Sequence, residues 1–363
     1  MTDDRQLTPR PYIFDLDLPE LTTLLQSWGE PGFRAKQIWQ GLYQNWWSQP
    51  DEFTTLSKTL RQRLSDEIDF SHLRVVTELK SSDGETLKTL FYLPDDLPIE
   101  TVRMRYDKRR TLCISTQAGC AMGCTFCATG QMGFLRNLSS GEIVEQVIYF
   151  ARRLAAQDER VTNIVVMGMG EPLHNYQATL DAIRRLNHTD GMNLGARRFT
   201  VSTVGLVPQI RQLIEEDIQI NLAISLHAAD DELRASMLPV NHRYPIADLI
   251  AAVREYSRTT KRRVTFEWAL IQQVNDTPEQ AQKLAKLLQG MLAHVNLIPL
   301  NPTQGFTGEA SSQIRAKRFQ ETLENQGIAC TIRLRRGIDI QAGCGQLASR
   351  DNQDPTDSPA PIQ

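Results

Sequence analysis

Thr111-Leu-Cys-Ile-Ser-Thr-Gln-Ala-Gly-Cys120-Ala-Met-Gly-Cys124-Thr-Phe-Cys127 joins a short apolar run to three cysteines at C-x3-C-x2-C spacing. The run has the composition of a buried strand, and the cysteines fall in the loop that leaves its end. Three thiolates on one loop wrap one metal centre, and such soft ligands suit an iron-sulfur cluster or zinc. They leave one position of a four-site centre unclaimed, where an open iron holds a substrate. A structural zinc knuckle is the other reading of the spacing. Cys113 is available as its fourth ligand, but no second C-x2-C or H-x3-H pair follows at finger spacing. Six cysteines in 363 residues, with no basic and apolar leader ahead of them, do not make a secreted disulfide framework.

Outward from that loop, the chain after Glu100 repeats strand, loop and helix. Strands are expected at 111–116, 163–167, 199–203, 220–226, 264–271 and 295–299. Amphipathic helices are expected at 141–154, 176–186, 207–215, 246–259 and 278–288, and a last helix and strand at 312–326 and 330–335. Six β/α units in succession imply the α/β class: an open, partial (β/α)6 barrel of TIM type with its active site at the C-terminal ends of parallel strands. The first seventy residues read as a small helical module. Asp17 caps its first helix, and the stripe Trp39, Tyr43, Trp46 and Trp47 reads as core before it reads as an RNA platform. Residues 73–93 alternate at strand period about a Ser82-Asp83-Gly84 turn. The expected division is an N-terminal helical accessory domain plus hairpin at 1–98, the barrel with a C-terminal cysteine loop at 99–347, and a tail of disordered composition at 348–363.

Formal net charge is -3 and the isoelectric point about 6.1, which argues against a strongly basic nucleic-acid binder. Basic residues nevertheless cluster, as at Lys108-Arg109-Arg110 and from Arg333 to Arg336. No run of eighteen apolar residues occurs, so a soluble cytoplasmic protein without a membrane segment is expected.

The loops after the expected strands carry further polar groups. Met167-Gly-Met-Gly170-Glu171-Pro172 follows the second strand; its glycines allow close approach of a ligand, and Glu171 offers a carboxylate to an ammonium. Ser202 closes the third strand, Ser225-Leu226-His227 the fourth, and Asn301 follows the sixth. Each alone is an ordinary turn or cap residue. At successive strand ends they describe a lined pocket.

Together with Ile224-Ser-Leu-His-Ala228, His294-Val-Asn-Leu-Ile-Pro299 and Ala342-Gly-Cys344-Gly-Gln-Leu347, these segments resemble, in order and spacing, the RlmN/Cfr family of radical S-adenosylmethionine (radical-SAM) RNA methyltransferases. The resemblance spans nearly the whole chain and is greater to the RlmN branch, which methylates carbon 2 of adenosine, than to the Cfr branch, which methylates carbon 8. It implies a 4Fe-4S cluster on Cys120, Cys124 and Cys127, with S-adenosylmethionine (SAM) contacted by Gly170, Glu171, Ser202, Ser225, Leu226, His227 and Asn301. Two SAM molecules serve each turnover. One methylates Cys344; the second, cleaved by one electron, yields a radical that takes hydrogen from the methylated cysteine so that its carbon attacks the base. Cys113 is then the second cysteine, ending in a disulfide with Cys344, and Glu100 the proton acceptor. The implied partners are 23S rRNA at the peptidyl transferase centre, for some members an anticodon-loop adenosine of tRNA, and an electron donor such as flavodoxin or ferredoxin, with the enzyme a monomer. Phosphate contacts are expected from Lys108–Arg110 and Arg333–Arg336. The family usually has alanine where this chain has Gly343. A zinc-stabilised RNA-binding protein without catalysis is the competing class.

Overall fold

A computed structural model of the chain describes residues 10–348, so the tail from 349 onward lies outside the described residues. The N-terminal module contains α1 (Leu18–Ser27), α2 (Phe33–Tyr43) and α3 (Lys58–Glu67). Asp17 caps α1 as expected: its Oδ1 accepts from Glu20 N at 2.7 Å while Glu20 Oε2 accepts from Asp17 N at 2.8 Å. Trp39 and Tyr43 are core, with ring centroids 4.4 Å apart. The helix stops at Tyr43 instead of running on to Trp47. Trp46 turns into the left-handed region, and Trp47 swings back edge-on against Phe53, whose ring lies where a Cβ on Gly41 would be.

The remainder supplies the strands β1 (Arg74–Lys80), β2 (Thr86–Tyr92), β3 (Pro98–Tyr106), β4 (Arg109–Cys113), β5 (Gln117–Gly119), β6 (Phe134–Asn137), β7 (Asn163–Val166), β8 (Phe199–Thr203), β9 (Asn221–Ser225), β10 (Val264–Leu270), β11 (Ala293–Pro299) and β12 (Ala329–Ile332). Between them lie α4 (Ala128–Gln131), α5 (Ser140–Ala155), α6 (Tyr176–Asn187), α7 (Val207–Gln212), α8 (Asp231–Met237), α9 (Ile246–Thr260), α10 (Pro278–Leu288) and α11 (Gln313–Glu324). Ten strands form one sheet in the order β1-β2-β3-β4-β7-β8-β9-β10-β11-β12, with β5 and β6 pairing separately. From β4 to β12 every neighbouring pair is parallel, the radical-SAM type of partial barrel expected. Strands β1 to β4 are antiparallel, and β2 pairs with β3 from Thr86↔Met104 to Tyr92↔Pro98, so the sheet is continuous across residue 98. Among the described residues no helix is long and apolar enough to cross a membrane.

Helix α5 is buried on most of its faces because the sheet lies on one side and the N-terminal module on the other. Gly141 permits this approach: a Cβ there would sit 2.6 Å from the Tyr12 ring. Glu145 fastens the junction by accepting from Tyr12 O–H, Ser71 Oγ at 2.6 Å, and the backbone N–H groups of His72 and Leu73 at 2.9 and 3.1 Å. Burial pushes its carboxyl up, and those four donors pull it back. A Glu145→Leu variant is therefore expected to lose about 2–4 kcal/mol of stability, because it strands buried donors instead of removing them. Urea unfolding measures this; a loss under about 0.5 kcal/mol would mean that the joint is held by apolar contact alone.

Candidate active site

The cysteine loop is shaped by glycines that bring backbone against backbone. A Cβ on Gly119, at φ +71°, would lie 1.9 Å from Gly133 O, and it is this carbonyl that accepts from Cys120 N at 2.8 Å. The loop then folds back through α4, whose first residue follows Cys127. All three cysteines line one cavity of about 160 Å³ at the C-terminal ends of the parallel strands. Gly170, Glu171, Ser202, Ser225, His227, Asn301 and Cys344 line the same cavity, from four other strand ends and the C-terminal segment. Leu226 does not: its side chain is buried in the core, while its N–H donates to Glu267 O and its carbonyl accepts from Ala228 N and Arg234.

Each polar group there is held in a defined state. Glu171 is buried, its Oε2 accepting from Val204 N at 2.9 Å and its Oε1 from Leu173 N at 3.0 Å. Burial without a paired cation pushes its carboxyl up to about 7. His227 occupies the left-handed region at φ 60°, and its Nδ1 accepts from Ala269 N at 2.9 Å. Burial, with Arg234 nearby, holds its ring pKa down to about 3, so the imidazole is neutral and its proton resides on Nε2. Ser202 and Ser225 hydroxyls are 3.3 Å apart. Asn301 donates from Nδ2 to Cys344 O at 3.0 Å, while its buried Oδ1 has no partner among the described residues. A Cβ at Gly343 would lie 2.6 Å from that Nδ2, so glycine at this position admits the contact.

A second cavity, of about 110 Å³, opens beside the first and contains Cys113, Met104, Tyr106 and Arg333. Cys344 lines both cavities, and among the described residues it is the exposed cysteine. Arg333 Nη1 points at its sulfur from 3.8 Å. Cys113 is buried at the end of β4, and burial, with Cys344 adding to it, pushes its thiol up to about 12. The 342–348 segment is stitched to the cysteine loop: Ala128 N donates to Gly345 O at 2.7 Å and Thr129 Oγ1 to Leu347 O at 2.7 Å. Glu100, the proton acceptor that the resemblance implies, is buried within β3. It pairs with Lys88 at 2.9 Å and accepts from Ala348 N at 3.0 Å, beneath the cysteine segment and outside both cavities. Cys330 is core, as its strand position suggested.

Among the described residues no three Cys, His, Asp or Glu side chains are gathered closely enough to close on a single metal ion. Cys120, Cys124 and Cys127 line one cavity, and three thiolates suit a cluster that takes one at each of three corners. Burial pushes Cys120 up to about 12 and Cys124 well above the ordinary thiol range, so these sulfurs need a cationic centre to be thiolates. The orphaned Asn301 Oδ1 and the cation-free Glu171 face the same space. The donor set fits an iron-sulfur cluster carrying a zwitterionic co-substrate.

Two residues that shape this site escaped the sequence reading. Glu267 on β10 lines the first cavity, accepting from Asn296 Nδ2 at 2.7 Å. Arg234 on α8 is fully buried and ties three strand-end carbonyls together, those of Val204, Ser225 and Leu226.

Comparison with known proteins bears on the same residues. Residues 114–288 match the radical SAM superfamily, and residues 12–69 match the ribosomal RNA large subunit methyltransferase N-terminal domain. The chain is 53% identical over 349 residues to a probable dual-specificity RNA methyltransferase RlmN of Chloroflexus aurantiacus, covering 93% of each. It is 48% identical over 335 residues to dual-specificity RNA methyltransferase RlmN 1 of Myxococcus xanthus, covering 92% of this chain and 93% of the other. The crystal structure of a radical SAM methyltransferase from Sphaerobacter thermophilus superposes with a TM-score of 0.92 at 50% identity, covering 94% of this chain and all of that one.

Proposed function

The chain belongs to the RlmN family of radical-SAM RNA methyltransferases, and from that we propose that it methylates carbon 2 of an adenosine in 23S rRNA, with an anticodon-loop adenosine of tRNA as second substrate. The observation that carries this reading is that one exposed thiol, Cys344, lines both the cavity of the three cysteines and the cavity of Cys113. Carbon 2 of adenine lies between two ring nitrogens and is electron-poor, so an electrophilic methyl cannot be transferred to it directly. A one-carbon unit carried on sulfur avoids the mismatch.

A 4Fe-4S cluster with SAM, held at Cys120, Cys124 and Cys127, would supply one-electron chemistry and an activated methyl group. Around it we assign Glu171 to the SAM ammonium, and the Nε2–H of His227, the Ser202 and Ser225 hydroxyls and Asn301 to its polar groups. Cys344 sulfur would accept the methyl of one SAM, with S-adenosylhomocysteine as the leaving group, and carry it as a thioether; the chemistry that SAM supplies would activate that carbon in turn, two molecules per turnover. Cys113 frees the RNA from Cys344 by forming the Cys113–Cys344 disulfide, which an external thiol or electron donor must reduce. Glu100, at the foot of the cysteine segment, is the proposed acceptor of the ring proton.

The Cys113→Ala variant tests this assignment. It is expected to accumulate RNA covalently bound to Cys344, seen as a nucleotide-bearing peptide by mass spectrometry. Free, methylated RNA and no crosslink would remove Cys113 from the pathway. Chromatography of digested product RNA against 2- and 8-methyladenosine standards reads the position of methylation.

A further inference from the structure

A second basic site lies across the sheet from Cys344. Side chains alternate along β3, so that Met104 and Tyr106 enter the Cys113 cavity while Arg103 and Arg105 leave through the opposite face. There, between β1–β3 and the last turns of α5, an open cavity of about 390 Å³ is lined by Lys80, Arg103, Arg105 and Arg153 against a single carboxylate, Glu78. Two of the four cations are engaged. Arg153 pairs with Glu78, which also accepts from Tyr149 O–H and Thr89 Oγ1, and Arg105 pairs with Glu159. The Arg103 side chain makes no ion pair or hydrogen bond among the described residues, and its Nε is buried without an acceptor. Lys80 lies over Gly84, with no acidic partner among the described residues. Burial and the neighbouring Arg105, Arg153 and Arg110 disfavour the charge on Arg103, and Glu159 opposes them. In a chain of net charge -3, this concentration is local design and not background.

We propose that this outer cavity binds phosphodiester groups of the RNA backbone, at a distance from the nucleotide presented to Cys344. The proposal rests on the RNA reading above. A guanidinium without an anion, next to a free ammonium, has the geometry that phosphate oxygens satisfy by paired N–H donation. The surface also supplies a route between the two sites. At the β3–β4 turn the guanidinium groups of Arg336 and Arg109 lie over the Tyr106 ring, at 4.5 and 5.0 Å from its centroid, with exposed Lys108 beside them. Cations thus continue from Arg333 in the inner cavity, over the turn, to Arg103 outside. A backbone following that track delivers its target base to one face and its flanking phosphates to the other.

Salt titration of RNA binding by the double variant Arg103→Gln/Lys80→Gln tests this with two RNAs: a 23S rRNA fragment carrying flanking helices, and a hairpin limited to the target loop. For the long fragment the log–log salt slope is expected to fall by about 1–2, with affinity roughly five- to tenfold lower per contact near 0.1 M salt. The short hairpin should bind as before, and Arg103→Lys, which keeps the charge, should restore most of the slope. An unchanged slope for the long fragment, in a variant that melts like the wild type, overturns the proposal. So does inorganic phosphate that raises the melting temperature through Arg103 while the RNA slope stays put, which would mark a site for the free anion. Wild-type protein that binds neither RNA overturns the RNA reading itself, a result distinct from both.

Discussion

The Cys344→Ala protein is expected to transfer no methyl group to RNA, a loss of roughly 10⁴-fold or more of the kind seen when a nucleophile is deleted. The loss should be chemical and not structural. What holds the segment in place uses its backbone: Asn301 reaches the carbonyl of Cys344, Ala128 that of Gly345, and Thr129 that of Leu347. None of these needs the thiol, so the variant should melt like the wild type and still bind SAM at the three-cysteine cavity. Of the cysteines in the described residues, Cys344 is the exposed one, and Cys127, which also borders both cavities, belongs to the cluster loop. No second sulfur stands ready to replace it. Radiolabelled methyl transfer to RNA measures the effect; any turnover above about one part in a thousand of wild type would show that the methyl does not travel through this residue.

Arg234→Leu is the second large effect, and here the loss is one of architecture. The side chain has no exposed surface, yet its guanidinium donates to Val204 O at 2.6 Å, Leu226 O at 3.2 Å, Ser225 O at 3.4 Å and Asn241 Oδ1 at 2.8 Å. Burial pulls its pKa down to about 10, which leaves it charged at neutral pH. The carbonyls it gathers belong to the ends of β8 and β9, the loops that present Ser202, Ser225 and His227. Leucine fills much of the volume and satisfies none of these acceptors, so a stability loss of about 3–5 kcal/mol is expected, with SAM affinity falling in the same variant. Lysine should not rescue it, since a single ammonium cannot span four acceptors that a planar fork reaches together. Denaturant unfolding of less than about 1 kcal/mol difference would show that the strand ends hold their positions without it.

Much of the barrel and its mouth was legible because the signals are local. The expected 199–203 strand and 278–288 helix coincide with β8 and α10, and the cysteine and glycine-glutamate loops announce their chemistry by spacing within a few residues. What escaped depends on distant partners. Strand β3 went unread because Glu100, buried against Lys88 of β2, and the outward Arg103 and Arg105 give residues 98–106 charges on both faces. Arg234 sits in Asp230-Asp231-Glu232-Leu233-Arg234, a stretch that reads as a solvated helix until the fold encloses its last member. The Arg333–Arg336 cluster read as one phosphate grip, whereas the structure divides it: Arg333 turns inward to Cys344, Arg336 lies on Tyr106, and Arg335 stays exposed.

The hydrogen bonds between residues 128–129 and 345–347 join segments more than two hundred positions apart. During synthesis the N-terminal side of the barrel leaves the ribosome many seconds before the thiol-bearing segment does, since elongation adds about 5–20 residues per second. The three-cysteine loop of a nascent chain therefore stands behind an unfinished wall until residue 347 has emerged. A chain cut before Gly345 is expected to keep its parallel strands and to lose the wall that carries Cys344.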